Sequence, residues 1–282
     1  MRTLINVGLA LLASAAVLVA ITYVTLRING PAPGAAGNGW TTTFSTRSED
    51  QGSEARTITP EVVKLELDGP VELTLKQGPV PALTVRTDKS WLQRVVSEQE
   101  GDRLRLGYRG REGWHIYLGS TPTVRAELVL PALEELVSKG SGDFDVSGFS
   151  GERLNLVLKG SGDLSFNGQY RQIFAKLAGS GDMKLDARDA ENLDVELHGS
   201  GDITTRGHSR TLKAELKGSG SLHAQHLEAD AVELALSGSG DVTVYARLSV
   251  DVRLNGSGSV DIYGDPAQRN SRVNGSGKVS WK

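Results

Sequence analysis

The amino-acid sequence predicts an all-β fold, a parallel β-helix (β-solenoid) with coils of 18–20 residues. The first observation is a tripeptide, Gly-Ser-Gly, that starts at Gly140, Gly160, Gly179, Gly199, Gly218, Gly238, Gly256 and Gly275, at intervals of 20, 19, 20, 19, 20, 18 and 19 residues. A compositional bias would scatter such triplets, whereas a fixed period marks one structural unit stacked on itself. The second observation is alternation: Leu156 and Leu158, Val195 and Leu197, Leu234 and Leu236, and Val252 and Leu254 lie four and two residues ahead of their triplets. A period of two belongs to a half-buried strand and argues against a helical solenoid. Third, each triplet is followed by an outward residue, usually Asp, and then by an apolar one: Phe144, Leu164, Met183, Ile203, Leu222, Val242, Val260 and Val279. Each unit thus reads strand, corner, strand, polar return. A propeller is the competing all-β reading, but its blades need about 40 residues and four strands each.

The corner residues are Gly140 and Gly142, Gly160 and Gly162, Gly179 and Gly181, Gly199 and Gly201, Gly218 and Gly220, Gly238 and Gly240, Gly256 and Gly258, and Gly275 and Gly277. Glycine suits a corner that needs positive φ and leaves room for the neighbouring coil's backbone. A single unit of this size cannot bury its inward row, but stacked units can. At about 4.8 Å per coil, the seven intervals rise about 34 Å.

Composition narrows the function classes. Glycine supplies 34 of 282 residues, and the corners account for 16 of them. A net charge of −3 offers no basic footprint for nucleic acid. The absence of cysteine excludes disulfides, thiolate metal sites and a lipidated cysteine. Aromatic residues are scarce at 5%, which suits a narrow interior filled by Leu, Val and Ile.

Taken in order, residues 1–27 read as a transmembrane anchor or signal segment. Thr3 to Leu26 is an uncharged run of 24 residues between Arg2 and Arg27. As a helix it would span about 36 Å, enough for a hydrocarbon core of about 30 Å. A cleavable signal has a shorter apolar region ending at a small-x-small site. Here Ala13-Ser14-Ala15 sits in the middle of the run, which favours an uncleaved anchor through residues 3–26 with the following domain outside the cytoplasm. Residues 28–59, opening on Gly30-Pro31-Ala32-Pro33-Gly34 and interrupted by Trp40 and Phe44, read as a flexible tether.

The solenoid domain spans 60–282, with irregular early coils and a cap over 60–139 and regular coils over 140–282. Strand patterns begin at Val63-Lys64-Leu65-Glu66-Leu67 and Val71-Glu72-Leu73-Thr74-Leu75, with turns at Asp68-Gly69-Pro70 and Gln77-Gly78-Pro79. Lys89 to Glu98 is a candidate short helix, with Trp91, Leu92, Val95 and Val96 on one face. A cap is expected because a terminal coil would otherwise expose its strand edges. The far end looks abrupt, with only Lys278 to Lys282 after the last triplet.

The Gly-Ser-Gly-Asp corners, preceded by Val71-Glu72-Leu73-Thr74-Leu75-Lys76-Gln77-Gly78 and Leu130-Pro131-Ala132-Leu133, resemble the putative auto-transporter adhesin family with the head GIN domain. The likeness covers about residues 60–282. It implies a right-handed parallel β-helix in a bacterial envelope protein, outside the cytoplasm. It brings no catalytic residues with it.

Among residues that could carry chemistry, the position after the triplet reads Asp143, Asp163, Asp182, Asp202, Ser221, Asp241, Ser259 and Lys278. Stacked carboxylates about 5 Å apart repel, by roughly 0.8 kcal/mol in water. A cation such as calcium would relieve them, as would backbone N–H donors at the corner. The corner lacks the acidic density of a calcium repeat, so the structural reading is preferred. Lys139 and Lys159 are placed to face Asp143 and Asp163 across the turn, with Lys217 at the same position of a later coil. The histidines are His115, His198, His208, His223 and His226. In an unbroken strand His223 and His226 point to opposite faces. Arg188, Asp189, Arg206, His208 and Arg210 lie on successive returns as a candidate polar patch. Asn255-Gly256-Ser257 and Asn274-Gly275-Ser276 match the glycosylation sequon but are corners of the ladder.

No singular nucleophile or phosphate loop stands out, and no cofactor is implied. The reading is a non-enzymatic, membrane-tethered envelope module facing a polysaccharide, the cell wall or a protein ligand. The competing readings are a carbohydrate-active β-helix enzyme, either lyase or hydrolase, and a structural or sensory domain.

Overall fold

The structure is a computed structural model that describes residues 51–108 and 122–282. The expected anchor, the tether up to residue 50, Trp40, Phe44 and His115 lie outside the described residues. The protein is all-β, a solenoid of about seven turns. Among the described residues no helix is long and apolar enough to cross a membrane.

The regular ladder comprises β9 (Phe144–Gly160), β10 (Leu164–Gly179), β11 (Met183–Gly199), β12 (Ile203–Gly218), β13 (Leu222–Gly238) and β14 (Asp241–Gly256). Each bends around one coil and pairs in parallel with the next, so the sequence interval becomes the register: Gly160 lies on Gly179, Gly179 on Gly199 and Gly199 on Gly218. Alternation fills the interior with columns. Leu158, Leu177, Leu197, Leu216, Leu236 and Leu254 form one, each at most 1% exposed. Burial stabilises by about 1.5–3 kcal/mol per leucine, and the column lets every coil bury its own row against two neighbours.

The early coils are stacked out of chain order. β2 (Lys64–Gly69) and β3 (Val71–Gln77) form one coil around the turn at Gly69, whose φ is +86°. β2 lies between β6 (Arg103–Tyr108) and β8 (Glu135–Gly140), while β3 lies between β7 (Val124–Leu130) and β9. The first coil in sequence is therefore the second in space, and the Gly69 turn is the layer beneath the Gly140 corner.

Antiparallel strands cap this end. β5 (Val95–Glu100) pairs with β6, β4 (Ala82–Asp88) with β7, and β1 (Gln51–Arg56) with β4. Two expectations are corrected here. The helix expected over Lys89–Glu98 is a single turn, α1 (Lys89–Leu92), capped by the Asp88 carboxylate, which accepts from the Ser90 backbone at 2.9 Å. β-branched Val95 and Val96 instead join β5, where Val95 is buried against the cap. The tether expected to run to residue 59 stops earlier, because Gln51–Arg56 covers the free edge of β4. Gly52 lies so close under α1 that a Cβ there would meet Lys89 Cγ at 3.0 Å.

The far end is closed by side chains. β15 (Ser259–Tyr263) continues one face above β14, and the last coil is β16 (Gln268–Gly275) with β17 (Lys278–Trp281). At its inward positions Arg269 and Ser271 replace Val250 and Val252 of the coil below, and Trp281 lies on Ile262. The Arg269 guanidinium sits 5.1 Å from the Trp281 ring centroid and pairs with Asp265. The end expected to be abrupt thus has a lid, beneath which Val260 and Ile262 are 0% exposed.

Candidate binding surface

At the corner, Gly199 has φ +140°, and a Cβ there would lie 2.1 Å from the Gly179 carbonyl oxygen. A Cβ on Gly201 would lie 1.9 Å from the Gly181 oxygen, while the intervening Ser200 is exposed. The Ser200 and Gly201 amides both donate to the Gly179 oxygen, at 3.1 and 3.3 Å. Backbone thus approaches backbone at the corner with no space for a side chain between coils.

The Asp column is threaded by its own backbone. Asp163 Oδ1 accepts from the Asp182 N–H at 2.9 Å, Asp182 Oδ1 from Asp202 N–H at 3.0 Å, and Asp202 Oδ1 from Ser221 N–H at 3.0 Å. Farther along, the Ser259 hydroxyl donates to Asp241 Oδ1 at 2.5 Å. Asp143 lines a hollow described below. Each donor belongs to the following coil, so these bonds tie layers together. No group of three or more His, Asp or Glu among the described residues is arranged to hold a metal ion.

Several expected contacts fall elsewhere. Lys139 Nζ donates to Glu66 at 2.6 Å, because the neighbour of β8 is β2, and Lys217 pairs with Glu215 on its own strand. Lys159 has no ion pair among the described residues. His223 and His226 both lie on the outside rather than on opposite faces, since β13 carries an irregularity between Ala224 and Glu228. The polar returns do not converge: Arg206 and Arg188 approach Asp186 at 3.0 and 3.9 Å, while Arg210 lies 4.0 Å from Glu191. At the late corners, Asn274 Nδ2 donates to Asn255 Oδ1 at 3.0 Å, extending the ladder.

Among the described residues the carboxylates with perturbed acidity all move the same way. Hydrogen bonds from Lys139, Lys64, Arg171 and Lys217 hold Glu66, Asp102, Glu191 and Glu215 below the ordinary carboxylate range. A glycosidase general acid requires the opposite shift.

Among the hollows on the flanks of the described residues, two adjoin the residues discussed above. One of about 470 Å³ is lined by the corner carboxylates Asp143, Asp163 and Asp182 with Arg86, Arg125 and Lys184. Its charges are partly neutralised across strands, Arg86 with Glu127 at 2.9 Å and Arg125 with Glu72 at 2.8 Å. The second, about 850 Å³, lies where the segment Ala132–Glu135 passes the returns of β9 and β10. Its lining includes Phe174, Tyr170, Gln172, Asn155, Asn192 and Asp194. Tyr170 is 2% exposed and donates to the Leu133 carbonyl at 2.7 Å. Burial, with a smaller push from Glu134, raises its phenol well above the ordinary value.

Residues 63–266 match the family described as putative auto-transporter adhesin, head GIN domain. The chain belongs to this family. Solved structures resemble this head GIN domain, among them three from Parabacteroides. One is a putative lipid binding protein from Parabacteroides distasonis, 26% identical over 83% of this chain and 98% of that one, with TM-score 0.75. A putative adhesin from Parabacteroides merdae is 16% identical over 83% and 97%, with TM-score 0.76. A putative adhesin from P. distasonis is 19% identical over 83% and 98%, with TM-score 0.75. No curated protein matches the chain.

In this head GIN domain the residues that sequence reasoning passed over are Phe174 and Tyr170. Phe174 occupies an outward strand position where its stack neighbours are Asn155 and Asp194. Two aromatics four residues apart, in a chain with 5% aromatics, were the available signal.

Proposed function

We propose that this head GIN protein is a non-enzymatic binding module of the bacterial cell envelope, held outside the cytoplasm and anchored in a membrane by residues 3–26. The observation that carries the non-enzymatic part is the use of the carboxylates. Glu66, Asp102, Glu191 and Glu215 are held ionised by cations, and Asp163, Asp182 and Asp202 accept backbone N–H groups between coils. The first four are thereby moved away from service as proton donors, and the three corner carboxylates are engaged in tying coils together. Family membership supports the surface location, and the uncharged run Thr3–Leu26 supports the anchor. The description of the P. distasonis relative as a lipid binding protein makes lipid a second ligand class to test.

The test has two arms. Membrane fractionation with amino-terminal sequencing should recover the chain in the membrane with residues 3–26 attached; a mature start between Ala16 and Ala36 would refute the anchor. Incubation with isolated envelope polysaccharide should give saturable retention with no soluble sugar product. Release of unsaturated or reducing-end products would instead establish a lyase or hydrolase.

A further inference from the structure

We propose that the hollow around Phe174 is a binding site for an uncharged oligosaccharide. The proposal deepens the binding-module reading and rests on it. Phe174 points outward from β10, between buried Ile173 and Ala175, and is itself half-buried. In the stack it lies between Asn155 of the preceding coil and Asp194 of the following one, with Gln172 paired to Asn192 one position pair away along the strands. An aromatic side chain is thus bordered by amides and a carboxylate, all lining a hollow of about 850 Å³.

That combination fits a sugar ring, which offers C–H groups on one face and hydroxyls around its edge. The ring face packs on the aromatic, and planar amide and carboxylate groups exchange hydrogen bonds with the hydroxyls. Three of the polar groups are available: among the described residues the side chains of Gln172, Asn192 and Asp194 make no hydrogen bond or ion pair. Two others that line the hollow are engaged, Asn155 Nδ2 donating to Glu135 at 3.1 Å and Lys64 pairing with Asp102 at 2.6 Å, while Asn155 Oδ1 is buried without a partner.

Other ligand classes fit less well. Tyr170, Leu154 and Ile173 are each 2% exposed, already packed into the protein's own core, so little apolar wall remains for an acyl chain. The rim's charges are mostly paired, Glu135 with Arg103 at 2.8 Å, Glu152 with Arg171 at 3.0 Å and Lys64 with Asp102 at 2.6 Å, which leaves no cluster of cations among the described residues to hold an acidic polymer or a phosphate.

The experiment is calorimetric titration of the full-length chain in nanodiscs with neutral cello-, xylo-, malto- and manno-oligosaccharides. Vesicles of phosphatidylethanolamine and phosphatidylglycerol form a separate arm. At least one neutral series should bind, and Phe174→Ala should weaken it by about tenfold or more, with Gln172→Ala weakening it less. Arg272→Ala, on the last coil and outside the hollow, should leave it unchanged. Melting temperatures taken alongside separate lost contact from lost fold; if Phe174→Ala unfolds, Phe174→Leu must show the same weakening. The site is refuted if no series binds, if binding survives loss of the aromatic, or if only vesicles bind. Retention on envelope polysaccharide that Phe174→Ala leaves intact would overturn this site while the binding-module reading stands.

Discussion

At Gly201 a side chain would begin where the next coil's backbone already lies. The Gly181 oxygen is 1.9 Å from the Cβ that valine would add, whereas Ser200 beside it is exposed. Gly201→Val should therefore cost about 3 kcal/mol, at the top of the overpacking range. Asp202→Ala loses an acceptor for the Ser221 N–H and should cost about 1 kcal/mol; Ser200→Ala should stay within about 0.5 kcal/mol. Urea unfolding of the three decides it, and equal losses would mean that the corner is not governed by backbone approach. The glycine requirement was legible from the repeat, and so was the preference for backbone N–H donors over a cation beside the Asp column. Which N–H was not legible: the register shows Asp163, Asp182 and Asp202 each accepting from the coil one layer on. Tyr170 was equally silent, since only its burial distinguishes it from a surface tyrosine. Because the fold favours its neutral form, that stability is complete below the ordinary phenol value of 10.0 and is lost as pH climbs above it. The melting temperature of the wild type should fall more steeply above about pH 10 than that of Tyr170→Phe. Lysine ion pairs weaken in the same range, but equally in both proteins; parallel curves would show that Tyr170 ionises without cost.

Elements were legible where the period holds and misread where it ends. β9 to β14 keep the alternation on both sides of each corner, with register irregularities confined to the returns, and their pairing at the corners repeats the sequence interval. Within the cap, Trp91, Leu92, Val95 and Val96 fit a helical face as well as they fit a turn followed by a strand. Position decided between them: the edge of β6 was free to pair, and β5 pairs with it. The last coil looked abrupt because only Lys278 to Lys282 follow the last triplet. Its row turns polar at Arg269 and Ser271, and the Arg269 head pairs with Asp265 and lies on the Trp281 ring. Trp281→Ala should consequently loosen the last coil first. Hydrogen exchange should accelerate in β16 and β17 by about two- to fivefold and stay unchanged in β10 and β11, as expected when about 0.5–1 kcal/mol of cation–π contact is lost at a terminus. Equal acceleration in β10 and β11 would refute the lid.

For the whole molecule, the order of the coils decides how a local loss spreads. In the regular ladder each coil touches two neighbours, both adjacent in sequence, so the repeat encodes its own stacking. The coil of β2 and β3 does not follow that rule. Its corner at Gly69 lies beneath Gly140, 71 residues later (140 − 69), a separation unlike any interval in the repeat and therefore invisible to a search for period. β2 is gripped by β6 on one side and β8 on the other, so it joins the cap to the ladder. Leu67, 1% exposed, and Leu254, 0% exposed, are both buried leucines at ladder positions, and truncation to alanine should cost each about 2–5 kcal/mol locally. Their reach should differ. Leu67→Ala should raise hydrogen exchange in β5, β6 and β8 together, because cap and ladder lose their common layer. Leu254→Ala should raise it in β14, its neighbour β13 and the coils beyond, and leave the cap and β9 to β11 unchanged. If both substitutions slow or speed exchange uniformly along the chain, the molecule unfolds as one unit and the stacked-layer description of its stability fails.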